Sequence, residues 1–278
     1  MILVVGCKGM LGRDLLDLAG ERAMGIDIEE LDITSLEDCF RVLNELRPTV
    51  VINCAAYTNV DGCESNAETA MQVNGEGVAH LAMATRDIGA LLVHVSTDYI
   101  FDGSKGAPYT EDDLPRPQNV YGESKLAGEM NADFNPDHLI VRTQWLYGLH
   151  GNNFVETMLK IGAERSSLTV VDDQTGSPTW TGDLARAILA LVDHDCRGVY
   201  HVANTGFCTW NGFARAIFED AGMSVSVLPQ TTAELNRPAQ RPLYSTLDCT
   251  KLQRDTGVAL PPWRDSLKQY LSLRPAAN

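Results

Sequence analysis

The sequence lacks the features that mark several large protein classes. Its seven cysteines include no C-x-x-C pair and none has a histidine at zinc-ligand spacing, which argues against a structural zinc site and favours free thiols in a reducing compartment. No apolar run approaches the ~18 residues of a membrane-spanning helix, and the apolar stretch before Gly6 is too short for a signal peptide. We therefore expect a cytoplasmic protein without a membrane partner.

Positive charge is also scarce. The 278 residues carry 22 Lys and Arg against 37 Asp and Glu, a formal net charge of −15 at pH 7. Such a surface repels phosphate backbones, so we expect no nucleic-acid partner. A single pyrophosphate can still bind where a few local donors converge. Hydrophobic residues make up 44% of the chain, which is typical of a well-buried globular protein.

The first 145 residues alternate short apolar runs with amphipathic stretches. Continuous runs of Val, Ile and Leu are typical of buried parallel strands, and they lie at Ile2–Val5, Thr49–Ile52, Leu91–Val95 and Leu139–Val141. Residues 34–37 and 65–68 each fit a capping box that opens a helix. This alternation predicts an α/β fold, a Rossmann-type doubly wound parallel sheet with helices on both faces.

The alternation of apolar runs and amphipathic stretches becomes less regular after about residue 150, which indicates a smaller C-terminal substrate-binding region. We expect a dinucleotide-binding domain over residues 1–150, to which residues 181–203 return, and a substrate-binding region over 151–180 and 204–278. In the later part of the chain we expect a helix from near Asn153, a strand over Leu168–Val171 and two helices beyond Asn204.

The first predicted strand runs directly into a glycine-rich turn, with glycines at positions 6, 9 and 12. Glycines allow a tight turn and a close approach of the backbone to a pyrophosphate, and the amides at the start of the next helix attract phosphate. The spacing G-x-x-G-x-x-G differs from the G-x-G-x-x-G fingerprint, and it is not a Walker loop. The turn alone is a weak signal, but its place after the first strand favours dinucleotide binding.

Two further segments fit a dinucleotide at the same edge of the sheet. Asp27 ends the predicted second strand about 20 residues after Gly6, the distance at which an acidic residue binds the adenosine ribose. An ordinary turn carboxylate is the alternative interpretation, and Asp32 could instead lie near the adenine. Small residues follow the third strand at 53–58, where the cofactor would pass over the sheet edge.

Tyr121 and Lys125 form a Tyr-x-x-x-Lys pair on a predicted helix. At this spacing they share a face, with Cβ atoms about 5–6 Å apart. An ammonium beside a phenol lowers the pKa of the phenol toward working pH, which suits a general acid. A surface tyrosine and lysine would show the same pattern. Thr97, at the carboxyl end of the fourth strand, places a hydroxyl where it can meet the same substrate carbonyl.

The order of these motifs resembles the extended short-chain dehydrogenase/reductase family. Within it, the chain resembles the dTDP-4-dehydrorhamnose reductases over nearly its whole length, at residues 31–34, 56–61, 96–103, 142–148, 151–154, 173–179 and 241–242. The resemblance implies an NAD(P)H-dependent oxidoreductase that reduces the C4 ketone of dTDP-4-dehydrorhamnose to dTDP-L-rhamnose, for cell-surface polysaccharide.

The resemblance also implies roles for individual residues. Thr97 would bind the substrate carbonyl, Tyr121 would protonate it, and Lys125 would hold the nicotinamide ribose and tune Tyr121. The implied substrate-binding residues are Val60, Thr97, Tyr99, Trp145, Asn153 and Arg241. The cofactor-binding residues are expected to be Gly6, Gly9, Met10, Leu11, Gly12, Asp27, Asp32, Ile33, Ala55, Ala56, Tyr57, Asn74, Tyr121 and Lys125.

The expected partner is a small sugar nucleotide, and a homodimer is compatible with the sequence. Many relatives follow the second-strand aspartate with a basic residue, whereas this chain has Ile28, Glu29 and Glu30. Carboxylates there repel a 2′-phosphate, so we expect NADH to be favoured over NADPH, although Lys8 and Arg13 could still hold a phosphate. No ligand cluster stands out in the sequence, so we expect no metal.

Two other functions stay open at this point. The first is a sugar-nucleotide 4,6-dehydratase or epimerase on the same scaffold. Relatives that dehydrate carry Thr-Asp-Glu at the strand end, whereas this chain has Tyr99 in the third place. The second is a non-catalytic, NAD(P)-binding regulatory subunit, which has less need of the complete set Thr97, Tyr121 and Lys125.

Overall fold

A computed structural model describes residues 1–274. The strands are β1 (Ile2–Val5), β2 (Ala23–Ile26), β3 (Val50–Asn53), β4 (Leu91–Thr97), β5 (His138–Thr143), β6 (Leu146–Tyr147), β7 (Ser167–Val171), β8 (Thr175–Gly176), β9 (Thr179–Trp180), β10 (Gly198–His201), β11 (Cys208–Thr209) and β12 (Ser226–Gln230).

Helices alternate with these strands along the described residues. They are α1 (Met10–Ala19), α2 (Leu36–Leu46), α3 (Val60–Ser65), α4 (Ala67–Met71), α5 (Gly77–Ile88), α6 (Val120–Ala132), α7 (Phe154–Glu164), α8 (Thr181–Asp193), α9 (Trp210–Asp220), α10 (Thr232–Leu235), α11 (Thr250–Thr256) and α12 (Trp263–Leu273). A π-helical segment, Gln72–Glu76, joins α4 to α5.

Within residues 1–274, six strands form the central sheet in the order β10-β5-β4-β3-β1-β2. Each neighbouring pair is parallel, from β1 beside β2 to β10 beside β5. Residues of β1, β3 and β4 are almost entirely buried, because helices cover both faces of a parallel sheet. The predicted α/β class, with a doubly wound parallel sheet, is confirmed.

The two faces of the sheet carry separate apolar clusters. On one face α1 and α8 pack through residues such as Leu15 and Ile188. On the other face α2 and α5 pack through residues such as Leu43 and Leu81. At roughly 1.5–3 kcal/mol for each fully buried aliphatic side chain, these two layers hold the sheet rigid beneath the site.

The strand order reverses between β1 and β3. From β1 the chain goes outward to β2, then returns to the other side of β1 to form β3, β4 and β5. The loops after β1 and β3 therefore leave the sheet in opposite directions and open a crevice at their carboxyl ends, where ligands bind in such sheets. The glycine-rich turn and the segment after Asn53 both lie at this crevice.

A third apolar cluster belongs to the later part of the chain. It joins α7, α9 and α12 through Val155, Phe213 and Leu267, beside the parallel pair β7 and β12. Strand β10 lies at the edge of the central sheet, beside β5. The division into a dinucleotide-binding domain and a substrate-binding region, with 181–203 returning to the first, stays a prediction.

Some local predictions were wrong for identifiable reasons. Neither predicted capping box forms: the Thr34 hydroxyl donates to Asp32, and Ser35 accepts the amide that caps α2. The Ser65 hydroxyl donates back to Gly62 at the end of α3. Beyond residue 204 the structure has four helices in its described part rather than two, because α10 and α11 are too short to show a helical period.

Candidate active site

Two cavities meet at the carboxyl edge of the sheet. The inner cavity has a volume of about 580 Å³ and includes Thr97, Tyr121 and Lys125 in its wall. The outer cavity has a volume of about 590 Å³ and includes Gly6 and Asp27. Both contain Gly9, Cys54 and Ala56, so the two form one continuous cleft over the ends of β1 and β3.

The glycine-rich turn forms the floor where the two cavities meet. Gly6 has a φ of +78°, and a Cβ there would lie 2.7 Å from Ala55 N. A Cβ at Gly12 would lie 2.5 Å from the Gly6 carbonyl oxygen. Side chains at either position would separate α1 from the strands. In the described chain no side chain caps α1, whose N-cap is Gly9, so the amides at the helix start face the cleft and can bind phosphate.

Asp27 lies at the far end of the outer cavity, directly after β2. Its carboxylate accepts backbone amides from Lys8 at 2.8 Å and from Ile28 at 3.0 Å, which fixes its orientation. Asp32 and Ile33 line the same cavity. Asp32 is held by the amide and hydroxyl of Thr34. The structure therefore brings these three predicted cofactor residues into one cavity with Gly6, Ala55, Ala56 and Tyr57.

An ion pair lies beside Asp27 at the cavity mouth. The Lys8 ammonium contacts the Glu29 carboxylate at 2.6 Å, and both side chains are more than half exposed. The hydrogen bond to Glu29 raises the pKa of Lys8 above its usual value. The Asp27 amide donates to Glu30 at 3.0 Å. Lys8, the cation that could meet a 2′-phosphate, is thus already engaged by a carboxylate.

Thr97 and Tyr121 meet in the inner cavity. Thr97 ends β4 and is buried. Its hydroxyl donates to the Asp98 carboxylate at 3.1 Å and accepts the Tyr99 amide at 3.2 Å, and both Thr97 and Tyr121 line the cavity. Tyr121 lies near the start of α6, whose N-cap Asn119 accepts the Gly122 amide at 2.8 Å. The Tyr99 ring contacts the Tyr121 ring edge to face at 5.5 Å. The end of β4 and the start of α6 therefore place two hydroxyl groups in the same cavity.

The ionisation of Tyr121 differs from the sequence prediction. We predicted that Lys125 would lower the pKa of the phenol. In the structure burial raises the pKa of Tyr121 above its usual value, and the nearby Thr97 hydroxyl only partly offsets it. The Lys125 side chain donates to the Val95 carbonyl at 2.7 Å. Tyr121 is therefore protonated at neutral pH, the form that a general acid needs.

Lys125 and Asp98 are two buried ionisable groups in the inner cavity. Burial lowers the pKa of Lys125 to about 8, against opposing effects from Glu129 and Cys54. Burial raises the pKa of Asp98 to about 7, although the Thr97 hydroxyl donates to its carboxylate at 3.1 Å. Perturbed groups that cluster in a cleft are typical of catalytic sites.

An aromatic wall faces these groups across the inner cavity. The Trp145 ring stacks on the Trp210 ring with centroids 3.7 Å apart and planes 10° apart. Trp145 has a φ of +49°, a strained conformation for a bulky residue. A Cβ at Gly176 would lie 2.5 Å from the Trp145 ring, so the ring fits only beside a glycine. Val60 and Tyr99 also line this cavity.

Three predicted site residues do not line either cavity. Asn74 is fully buried, where it bonds the Tyr57 backbone and the Ser124 hydroxyl. Asn153 caps α7 and donates to the Gly148 carbonyl at 2.8 Å. Arg241 pairs with Asp61. Their predicted binding roles stay predictions, and each side chain already has a structural partner.

A family model described as the RmlD substrate binding domain matches residues 1–274. The chain belongs to this family. One relative of this RmlD-family chain, the dTDP-4-dehydrorhamnose reductase of Streptomyces griseus, is 45% identical to it over 96% of this chain and 91% of its own. The family resemblance predicted from the motifs is confirmed.

Two solved structures are similar to this RmlD-family chain over 98% of its length. A dTDP-4-dehydrorhamnose reductase from Clostridium acetobutylicum has a TM-score of 0.96 and 44% identity, with 98% of both chains covered. A dTDP-4-dehydrorhamnose reductase from Bacillus anthracis, in complex with NADP, has a TM-score of 0.95 and 40% identity, with 98% of both chains covered. Among residues 1–274, none of the helices has the length and apolar character needed to cross a membrane.

Some residues of this RmlD-family cleft could not be found from the sequence. Phe154 and Trp210 line the inner cavity. Phe154 ends the 151–154 motif but was not predicted as a site residue, and Trp210 begins a helix remote from the motifs. The stacking partner of Trp145 is set by tertiary packing and leaves no local signal. Outside the cleft, Asp14, Asp17 and His150 have ligand atoms within 4.8 Å of one another, a group that sequence distance concealed. The expectation of no metal stays a prediction.

Proposed function

We propose that this chain is a dTDP-4-dehydrorhamnose reductase that transfers a hydride from NAD(P)H to the C4 ketone of the sugar, giving dTDP-L-rhamnose. One observation carries the proposal: Thr97, Tyr121 and Lys125 line a cavity that continues into a glycine-floored cleft. The similarity over nearly the full length to proteins named as this reductase supports the choice of substrate.

The cleft fits a dinucleotide. Because Gly6 and Gly12 have no side chains, β1, the segment after β3 and the start of α1 pack closely together, and a pyrophosphate would lie against the backbone beside the start of α1. Asp27 is oriented by two amides and faces the outer cavity, where it would accept the hydroxyl groups of the adenosine ribose. When bound, the reduced nicotinamide supplies the hydride. The Glu29 and Glu30 carboxylates follow Asp27 in the chain, and the preference for NADH over NADPH that they indicate stays a prediction.

The protein groups act on the carbonyl oxygen. The Thr97 hydroxyl and the Tyr121 phenol line the same cavity, so a carbonyl oxygen bound between them would accept a hydrogen bond from each. As negative charge develops on that oxygen, Tyr121 transfers its proton to it, and Lys125 in its charged form stabilises the phenolate. A positioned general acid contributes typically 10²–10⁴-fold to the rate.

The sugar would lie against the opposite wall. Val60 and Tyr99 line the inner cavity from one side, and the stacked Trp145 and Trp210 rings form the other. An aromatic face packs well against the apolar face of a hexose. The residues therefore enclose the ring of a 6-deoxy sugar and leave its C4 oxygen toward Tyr121.

The two alternatives are less well supported. A dehydratase needs an acid for the leaving hydroxyl, and Tyr99 stands where relatives that dehydrate have glutamate. The structural likeness to a UDP-glucose 4-epimerase from Thermus thermophilus is at 22% identity and concerns the fold alone. A regulatory subunit has no need of a perturbed lysine, aspartate and tyrosine in one cavity.

The test is an assay of the purified chain with dTDP-4-dehydrorhamnose and either NADH or NADPH, followed at 340 nm. We expect oxidation of the cofactor only when the keto sugar is present, and little NAD bound to the purified protein. A net reductase must release its oxidised cofactor each cycle, so micromolar affinity is expected, about 8 kcal/mol. Stoichiometric bound NAD⁺ with turnover of a dTDP-hexose without added cofactor would refute the proposal.

A further inference from the structure

His94 is a buried histidine that the proposed mechanism does not use. It lies in the middle of β4 and is completely buried. Its Nδ1 lies 3.3 Å from Asn53 Nδ2 on β3, and its Nε2 lies 3.4 Å from Lys125 Nζ on α6. The helix approaches this closely because residue 128 is glycine: a Cβ at Gly128 would lie 3.1 Å from His94 Nε2. His94 thus links β3 to the lysine of the cleft.

The orientation of Asn53 decides which histidine nitrogen carries the proton. The Asn53 side-chain oxygen accepts the Ala55 amide at 3.1 Å, so its NH₂ group faces His94. An NH₂ group can only donate, and His94 Nδ1 must therefore accept. A neutral imidazole has one acceptor and one donor nitrogen, so the proton lies on Nε2 and points at Lys125.

Another buried histidine shows the opposite arrangement. His201 Nδ1 lies 3.0 Å from the Tyr109 carbonyl, which can only accept, so His201 carries its proton on Nδ1. Its Nε2 therefore presents a lone pair to the Arg142 guanidinium, 3.4 Å away. At His201 the imidazole is matched to a cation. At His94 a donor faces Lys125.

An ammonium group has three donors and no acceptor, so it cannot accept the Nε2 proton of His94, whereas a neutral amine can. We propose that Asn53 and His94 form a hydrogen-bond relay that positions Lys125 and shifts its equilibrium from the ammonium toward the neutral amine in the cofactor-free protein. The amine then accepts from His94 and donates to the Val95 carbonyl at 2.7 Å. His94 is in this sense a positioning residue for Lys125.

The other groups around Lys125 do not reverse this preference. Glu129, one turn along α6, favours the ammonium, but its carboxylate is already bound by Arg142 at 2.7 Å. Cys54 after β3 has the same sign, and Tyr121 on α6 is protonated. The remaining contact is His94, whose pKa burial and Lys125 hold well below the usual value. Burial is the largest cause that lowers the pKa of Lys125 to about 8, and a neutral His94 that donates its Nε2 proton to the amine acts in the same direction.

The relay deepens the proposed function and rests on it for its catalytic meaning. If Lys125 must be charged to stabilise the Tyr121 phenolate, the reductase loses activity as pH rises through the pKa of Lys125. His94 then sets the upper pH limit of the enzyme. Its removal would raise that pKa and extend activity to higher pH.

The relay can be tested without substrate by NMR on the full chain free of cofactor. ¹⁵N spectra of the six histidines should show two that stay neutral from pH 5 to 9, one protonated on Nδ1 (His201) and one on Nε2 (His94). Among the six lysines, one ¹³Cε signal should titrate near pH 8 and vanish in Lys125→Arg. In His94→Phe this midpoint should rise by at least about one unit, a tenfold change in the ratio of ammonium to amine.

A matched variant separates the relay from a general loss of packing. His138→Phe removes a histidine at the opposite end of the sheet, whose Nδ1 contacts the Asn135 carbonyl, and should leave the Lys125 midpoint unchanged. Two neutral histidines both protonated on Nδ1, or an unchanged midpoint in folded His94→Phe, would overturn the proposal. The wild-type tautomer decides it even if His94→Phe does not fold. Because these measurements need no turnover, they are independent of the substrate assignment.

Discussion

Arg241 and Asp61 form a two-bonded ion pair beside the inner cavity, with both Nη–Oδ distances at 2.9 Å. Burial alone would raise the pKa of Asp61, but hydrogen bonds from Arg241 and the Ala239 amide hold it below the usual value. The Arg241 side chain also donates to the Ala239 carbonyl at 2.7 Å. Arg241 therefore anchors the residue next to Val60, and its predicted contact with the substrate stays a prediction.

Arg241→Lys should weaken substrate binding more than chemistry. Lysine keeps the charge but loses the paired geometry with Asp61, so Asp61 and its neighbour Val60 become less well fixed. We expect the KM for the sugar nucleotide to rise about threefold to tenfold, the size of a typical net hydrogen bond of ~1 kcal/mol, with kcat within about threefold. Steady-state kinetics at fixed NADH checks this. A fall in kcat without a change in KM would contradict it.

Tyr121→Phe should remove the proton donor while keeping the ring and its contact with Tyr99. We expect turnover to fall by at least ~10²-fold, the scale of one general acid, with an almost unchanged Kd for NADH. Tyr109→Phe is a suitable control, because Tyr109 bonds Asp102 away from the cleft. Turnover within a few-fold of the parent in Tyr121→Phe would show that another group protonates the alkoxide.

Glu29→Gln should raise the affinity for NADPH and leave that for NADH nearly unchanged. The substitution frees the Lys8 ammonium from its partner at 2.6 Å and removes one carboxylate near the 2′-phosphate. Exposed ion pairs are weak because solvent and salt screen them, so a gain of only about twofold to fivefold is expected by titration at low salt. Asp27→Ala, in contrast, should weaken both cofactors. Equal gains for NADH and NADPH in Glu29→Gln would contradict this explanation of cofactor choice.

Asp98→Asn should stabilise the protein more at pH 8 than at pH 5. Burial raises the pKa of Asp98 from 3.8 to about 7, so the folded state holds a proton that the unfolded state releases. The contribution of Asp98 to stability is therefore complete below pH 4 and is lost as pH rises through 7. Asparagine carries no such penalty at pH 8. Urea unfolding at both pH values checks the difference, with exposed Asp112→Asn as the control.

The parts of the fold and site that could be predicted are those with a local pattern. The bounds of β1, Ile2–Val5, agree with the sequence prediction because a buried strand is a continuous apolar run. The order of the glycine turn, Thr97 and the Tyr121–Lys125 pair placed them at one sheet edge, since the carboxyl ends of parallel strands meet there. These features of the cleft could be predicted without knowledge of contacts between distant segments.

The parts that could not be predicted depend on contacts between distant segments. The parallel pairing of β12 with β7 joins residues far apart in the chain, and β12 is mostly exposed and shows no apolar run. Trp210 reaches Trp145 only because α9 packs on α7. The Lys125 side chain contacts His94 and the Val95 carbonyl, whereas sequence spacing alone placed its charge beside Tyr121.

The position of β10 has a consequence for synthesis of the chain. Strand β5 ends at Thr143, but its outer neighbour starts only at Gly198, roughly 55 residues later. At about 5–20 residues per second, the ribosome leaves the edge of β5 unpaired for several seconds. An open apolar strand edge is a template for intermolecular pairing. Fragments that stop before residue 198 should therefore aggregate during expression, and the exposure of this edge makes the nascent chain a natural client for chaperones.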